Sequence, residues 1–170
     1  MIATIFPLLG IMAFLLLWIH SMMGVFEPWL RPRMPFDAFV HYTALIILFC
    51  IVLHPLLLLI LIEFNFALLF SGNPLAISLG VAGFLLLITY DIGKALKRRE
   101  FFTRHWNTIL LISTIGFILT FFHSLMLGSH LQSGPLRALW IFFGTTAILA
   151  TIYTYGVKRL RYNQNNEKRF

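Results

Sequence analysis

Residues 38–62, AFVHYTALIILFCIVLHPLLLLILI, run without an aspartate, glutamate, lysine or arginine, and carry two histidines, His41 and His54. A run of this length and composition is long enough to cross a bilayer core about 30 Å thick as one helix. Four more charge-free runs flank it: Met1–Phe26, Phe64–Tyr90, His105–Leu136 and Ala138–Val157. Hydrophobic residues make up 59% of the 170 positions and charged residues 11%, with a mean hydropathy of +0.88. A soluble domain of this size has too much surface relative to volume to hide that much apolar material. Backbone groups in lipid must pair internally, which selects helices. The expected fold is therefore an all-α polytopic membrane bundle of about five transmembrane helices.

The spans are placed near 3–23, 37–63, 74–93, 105–127 and 136–157. Pro28, Pro32 and Pro35 mark the first connection, Ser71-Gly72-Asn73-Pro74 is a turn signal in the second, and Gly128–Pro135 makes the fourth. The first run is read as a span and not a secretory signal. It lacks a basic stretch before Ile2, and it exceeds the ~7–15 apolar residues of a signal core. No internal repeat or second domain is visible. Residues 161–170 read as a short polar cytoplasmic tail. Cys50, the one cysteine, can form no intrachain disulfide.

Charge sets the expected orientation. With five spans, twelve of the thirteen basic residues fall at one side, after spans 1, 3 and 5, and Arg137 alone falls at the other. Lys and Arg concentrate on the cytoplasmic side, so the N-terminus is expected outside and the C-terminus inside. The charges cap spans and form no separate basic domain, so the expected partner is the lipid bilayer and not nucleic acid. The expected location is the cell (inner) membrane of a bacterium or archaeon.

Ionisable residues within spans are functional candidates by default. His41 and His54 lie thirteen residues apart on span 2, about 20 Å along a helix. His123 lies on span 4, which runs in the same direction, at a depth similar to that of His54. Two neutral imidazoles on facing helices at matching depth are what a six-coordinate haem iron requires. Zinc is a weaker rival, because the spans hold no thiolate cluster and no His-Glu-x-x-His. Helix-to-helix hydrogen bonding is the bland alternative. His20 reads as interfacial and His130 as solvent-facing. His105, beside Trp106, lies five full turns from His123 and so on a similar face.

The run His41-Tyr42 … Leu53-His54-Pro55-Leu56-Leu57-Leu58 resembles a helix signature of the ferric-reductase-like transmembrane domain. Trp106, His123-Ser124-Leu125-Met126-Leu127-Gly128-Ser129 and Gly134-Pro135-Leu136-Arg137-Ala138-Leu139-Trp140 are similar to its later helices. That domain is shared by ferric reductases, NADPH oxidases and the haem subunit of the periplasmic methionine sulfoxide reductase system. The resemblance covers roughly residues 5–160, and it implies a haem domain over 1–160 that binds stacked b haems through two histidines on each of two helices. His54 and His123 match the outer pair, and His41 matches one inner ligand. The other inner ligand is expected near Leu110, where leucine cannot bind iron, and His105 is its only substitute, five residues early.

The resemblance implies a membrane cytochrome b passing electrons across the membrane to an acceptor at the outer face. The family's oxidoreductases usually carry a cytoplasmic flavin and nicotinamide domain after the last helix. No Gly-x-Gly-x-x-Gly fingerprint is present, so a separate flavoprotein or ferredoxin-like donor is expected, with Lys94–Arg104 as its docking surface. Two alternatives are a haem-free structural or assembly subunit that keeps the fold, and a quinone-linked haem subunit of a periplasmic reductase.

Overall fold

The computed structural model describes residues 2–158, and among them the chain is all-α. Five helices are long and apolar enough to cross a membrane, which makes this an integral membrane protein. They are α1 (Ile2–Leu30), α2 (Phe36–Leu61), α4 (Pro74–Ala95), α6 (Trp106–Leu127) and α7 (Gly134–Ile152). Two short helices, α3 (Phe66–Ser71) and α5 (Glu100–Arg104), lie in the second and third connections. A 3-10 turn, Ser129–Leu131, precedes α7, and a π-helical turn, Tyr153–Lys158, follows it. Arg159 and the polar tail at 161–170, with Arg161, Lys168 and Arg169, lie outside the described residues.

Helix α1 runs seven residues past the expected limit of its span, to Leu30. Its last turn is tied to the start of α2: Arg31 donates to Glu27 at 3.1 Å and to Asp37 at 2.7 Å. Asn65 and Asn73 cap α3 and α4, their side chains accepting from Leu68 N and Ala76 N at 3.1 Å. Pro74, at the first position of α4, has no N–H to leave unsatisfied there.

The bundle is built from two hairpins. α1 packs along α2, and α4 packs along α6. Gly83 and Gly116 set the second contact. A Cβ on Gly116 would lie 2.8 Å from both the Gly83 carbonyl oxygen and Leu87 N, so only glycine lets the backbones approach this closely. Helix α7 joins the hairpins by contacting α1 and α6, while α2 and α4 meet only sparsely. At the junction Phe14 stacks on Trp140 with centroids 4.2 Å apart, and its ring also meets Phe117 at 5.1 Å. Trp140 is 2% exposed; its indole N–H donates to Ser124 Oγ at 2.8 Å, and Ser124 donates to the Phe121 carbonyl. Trp18 repeats the arrangement between α1 and α7, donating to Thr146 at 2.9 Å.

The α1–α2 link and the α4–α6 link share one end. Lys94 donates to His41 Nδ1 at 3.0 Å. Arg31, Arg33, Lys97, Arg98, Arg99 and Arg104 lie in those links, so this is the basic end of the bundle. Arg137, at the start of α7, is at the other end, donating to the Leu131 carbonyl at 2.8 Å.

The glycine contact yields a prediction. Gly116→Ala should destabilise the bundle by about 1–3 kcal/mol, because the new methyl meets backbone and cannot be accommodated by a rotamer change. Gly24→Ala, whose Cβ meets nothing within 4 Å, should stay within about 0.5 kcal/mol of the parent. Unfolding in mixed micelles by denaturing detergent, with helicity as the readout, measures both.

Candidate functional site

His54 and His123 are half-buried and placed alike. His54, on α2, reaches to α1, where its Nδ1 lies 2.6 Å from the Phe6 carbonyl oxygen. His123, on α6, reaches to α4, where its Nδ1 lies 2.7 Å from the Ala76 carbonyl oxygen. A carbonyl only accepts, so in each neutral ring the proton is on Nδ1 and the lone pair on Nε2. Neither Nε2 is hydrogen-bonded within the described residues. Neither is sealed in the packing, since no fully buried side-chain nitrogen or oxygen lacks a partner among those residues. Each imidazole is anchored within its own hairpin, His54 on α1 and His123 on α4. The structure gives these two candidates the same local setting, a carbonyl of the hairpin partner helix.

His41 is placed differently. It is exposed, and its Nδ1 accepts from the Lys94 ammonium at 3.0 Å. That bond uses the Nδ1 lone pair and leaves the proton on Nε2, the opposite tautomer to His54. Helix phase explains the divergence. Thirteen residues are about 3.6 turns, so a straight helix at matched depth still turns His41 well away from the His54 face. His105 is also exposed, at the break between α5 and α6, where its ring packs on Phe101 at 4.5 Å and its Nδ1 meets the Phe101 carbonyl at 2.8 Å. The break interrupts the five-turn phase that would have set it beneath His123. His130 is exposed in the 3-10 turn.

Between the hairpins, on the basic-end side of the His54–His123 pair, lies a cavity of about 420 Å³. It reaches from Ile51 and Phe117 in mid-bundle to Glu27 and Phe36 at the basic end. Leu110, the position where the family resemblance expects an inner ligand, faces it. His41, His54, His105 and His123 do not line it; among the described residues His20 is the one histidine that does. No pair of imidazoles is opposed across the cavity, so its walls do not offer a six-coordinate iron two nitrogen ligands.

The cavity is amphipathic. Ala44, Ile47, Ile51, Leu87 and Phe117 form apolar wall, whereas His20, Tyr90, Asp91, Ser113, Thr114 and Tyr155 add polar groups. The tautomer of His20 follows from its partner. Thr43 donates its one hydroxyl proton to the Phe39 carbonyl at 2.7 Å, so it accepts from His20 Nε2–H at 2.6 Å. The His20 lone pair is then on Nδ1. Asp91 lies inside α4, one turn before its end, and no ion pair to it occurs among the described residues.

Sequence reasoning missed this cavity and the role of His20 in it. The one available signal was the recurrence of hydroxyls and acids toward one end of otherwise apolar spans. The carbonyls of Phe6 and Ala76 leave no signature in side-chain identity. No cluster of three or more His, Cys, Asp or Glu that could hold a metal ion occurs among the described residues. No protein-family model, no curated protein and no solved structure matches the chain.

Accessibility separates cavity from core. With native Cys50 (0% exposed), the protein should resist a small polar methanethiosulfonate reagent. In a Cys50→Ala background, Ser113→Cys should be modified, as a side chain on a polar cavity should be. Mass spectrometry of intact protein reads both results.

Proposed function

We propose that the chain is a haem b membrane protein of the ferric-reductase-like type, an electron-transfer subunit whose iron ligands are His54 and His123. The observation that carries the reading is the shared state of the two imidazoles. Each donates Nδ1–H to a carbonyl of the neighbouring helix and, among the described residues, keeps an unbonded lone pair on Nε2. An N–H held by a carbonyl fixes the ring and raises the basicity of the opposite nitrogen, the usual arrangement of a metal-bound histidine. Two imidazole nitrogens would suit a haem iron, which can take both of its protein ligands from histidine, and would suit zinc less, since a zinc site draws three or four ligands from the protein.

When bound, haem b supplies a one-electron couple; the chain's residues bind it, cover it and tune it. His54 and His123 hold it, and neighbouring apolar side chains of the bundle exclude water. With the basic end cytoplasmic, this pair lies toward the outer face, and electrons travel outward from an inner donor. His41, engaged by Lys94, and His105, at the helix break, are outside this set, and the reading assigns one haem per chain.

Substitution tests the assignment. Purified parent protein should give a b-type α-band after dithionite reduction and a positive pyridine haemochrome. His54→Ala and His123→Ala should each abolish the band, whereas His41→Ala should leave it unchanged. An α-band that survives His123→Ala rules out the ligand pair. Absence of haem in fully reconstituted parent protein selects the structural or assembly subunit instead.

The cavity favours a second reading in which the electron donor is a membrane quinol, as for a quinone-linked subunit, in place of a flavoprotein or ferredoxin-like partner docked on Lys94–Arg104. Its apolar wall suits an aromatic ring; a single haem would take one electron at a time, so a hydroquinone would give up its two electrons in two successive steps, the haem being reoxidised between them, and release two protons. His20 Nδ1 and the Asp91 carboxylate are acceptors for them. Under this reading, a short-chain quinol reduces the parent haem in single turnover, and His20→Phe or Asp91→Asn slows that step at least about tenfold, the scale of a lost general base. Equal rates in parent and variants leave the protein donor as the source.

A further inference from the structure

We infer that Gly10 and Gly80 are positioning residues, each completing a cradle that fixes the tautomer and direction of one histidine, His54 or His123. The inference deepens the haem reading and rests on it for its functional meaning, but the cradle is a property of the chain alone.

The two sites use one device. The histidine is on the second helix of a hairpin and its acceptor on the first: His54 of α2 on α1, His123 of α6 on α4. In each, a glycine stands four residues after the accepting carbonyl: Phe6 with Gly10, Ala76 with Gly80. A helical carbonyl points along the axis toward residue i+4, whose N–H it accepts. A side chain that also reaches that oxygen must pass over residue i+4. A Cβ on Gly10 would stand 3.0 Å from His54 Cε1 and 3.1 Å from its Nδ1. A Cβ on Gly80 would stand 2.5 Å from His123 Nδ1 and 2.6 Å from its Cε1. Both rings therefore lie directly on the glycine Cα, in space that any other residue fills.

The consequence is chemical as well as steric. An imidazole pushed off its carbonyl loses the bond that holds its proton on Nδ1. The proton is then free to occupy Nε2, the nitrogen the haem reading assigns to iron. The cradles thus decide which nitrogen carries the lone pair, and the carbonyl bond raises the basicity of that nitrogen. The same arrangement recurs in two hairpins whose sequences, Phe6-Pro7-Leu8-Leu9-Gly10 and Ala76-Ile77-Ser78-Leu79-Gly80, share only the closing Leu-Gly. The clearances differ, so the effects should be graded, with Gly80 the less tolerant position.

The test is nitrogen-15 NMR of histidine-labelled full-length protein in nanodiscs, first without haem and then loaded with haem. Without haem, His54 and His123 should each show one tautomer, protonated at Nδ1. Gly80→Ala should convert His123 to a mixture and leave His54 unchanged; Gly10→Ala should do the converse, more weakly. Ser78→Ala, on an exposed position of α4, should alter neither. On loading, haem affinity should fall by about 10–100-fold in Gly80→Ala, the scale of a lost partner to a metal-bound histidine, with a shift from low-spin toward high-spin absorption. Should Gly80→Ala fail to fold, the looser Gly10→Ala carries the test. Unchanged tautomers in a folded glycine variant overturn the cradle, even if haem binds through both histidines. The stated tautomer changes in a protein that takes up no haem support the cradle and remove the haem reading.

Discussion

A bilayer core offers no water to a polar group, and this constraint orders the whole bundle. Every polar side chain on a span needs an acceptor or donor supplied by the protein. The hydroxyls meet the demand locally: Thr89, Thr114, Thr120, Ser124 and Thr151 each donate to a carbonyl three or four residues back in their own helix. Ser124 and Thr146 then serve a second purpose as acceptors for the indoles of Trp140 and Trp18. His54 and His123 instead reach across to a neighbouring helix. The same requirement that makes the helices also locks the two rings.

The bundle is unequal along its length. Around Phe14, Trp140, Phe117 and Phe121 it is a close aromatic packing that joins the two hairpins. Toward the basic end the hairpins separate around the cavity, and its polar groups are drawn from α1, α4, α6 and the residues following α7. The His54–His123 pair lies beyond the aromatic layer and the cavity before it. In the proposed account these are the two ends of one path, a redox centre toward the outer face and a donor site toward the inner one, separated by packed aromatic rings.

Much of the fold was legible in the sequence because charge is so costly in lipid that its absence alone draws the spans. The second to fifth spans, placed from those runs and from the turn at Asn73-Pro74, agree with α2, α4, α6 and α7 to within five residues. α1 continues to Leu30 because Arg31 ties Glu27 to Asp37, an interaction between separate elements that hydropathy does not report. The candidate site was legible only in depth. Depth along a span follows from residue count, which is why His54 and His123 were paired as candidates. Rotation about the helix axis depends on phase and on helix breaks, and these turn His41 toward Lys94 and leave His105 on the surface. The cavity was illegible for a related reason: it arises where two hairpins fail to meet, and no local pattern encodes that.

The central claim is that one pair of histidines, and not two, holds haem in this bundle. Haem per chain measures it most directly, by pyridine haemochrome against quantitative amino-acid analysis on purified protein reconstituted with excess haem and freed of unbound pigment. The account predicts one haem per chain. A value of two would place a second haem in the inner half and give His41, His105 or His20 a ligand role the account denies them; a value of zero would leave the His54–His123 pair a structural contact between helices.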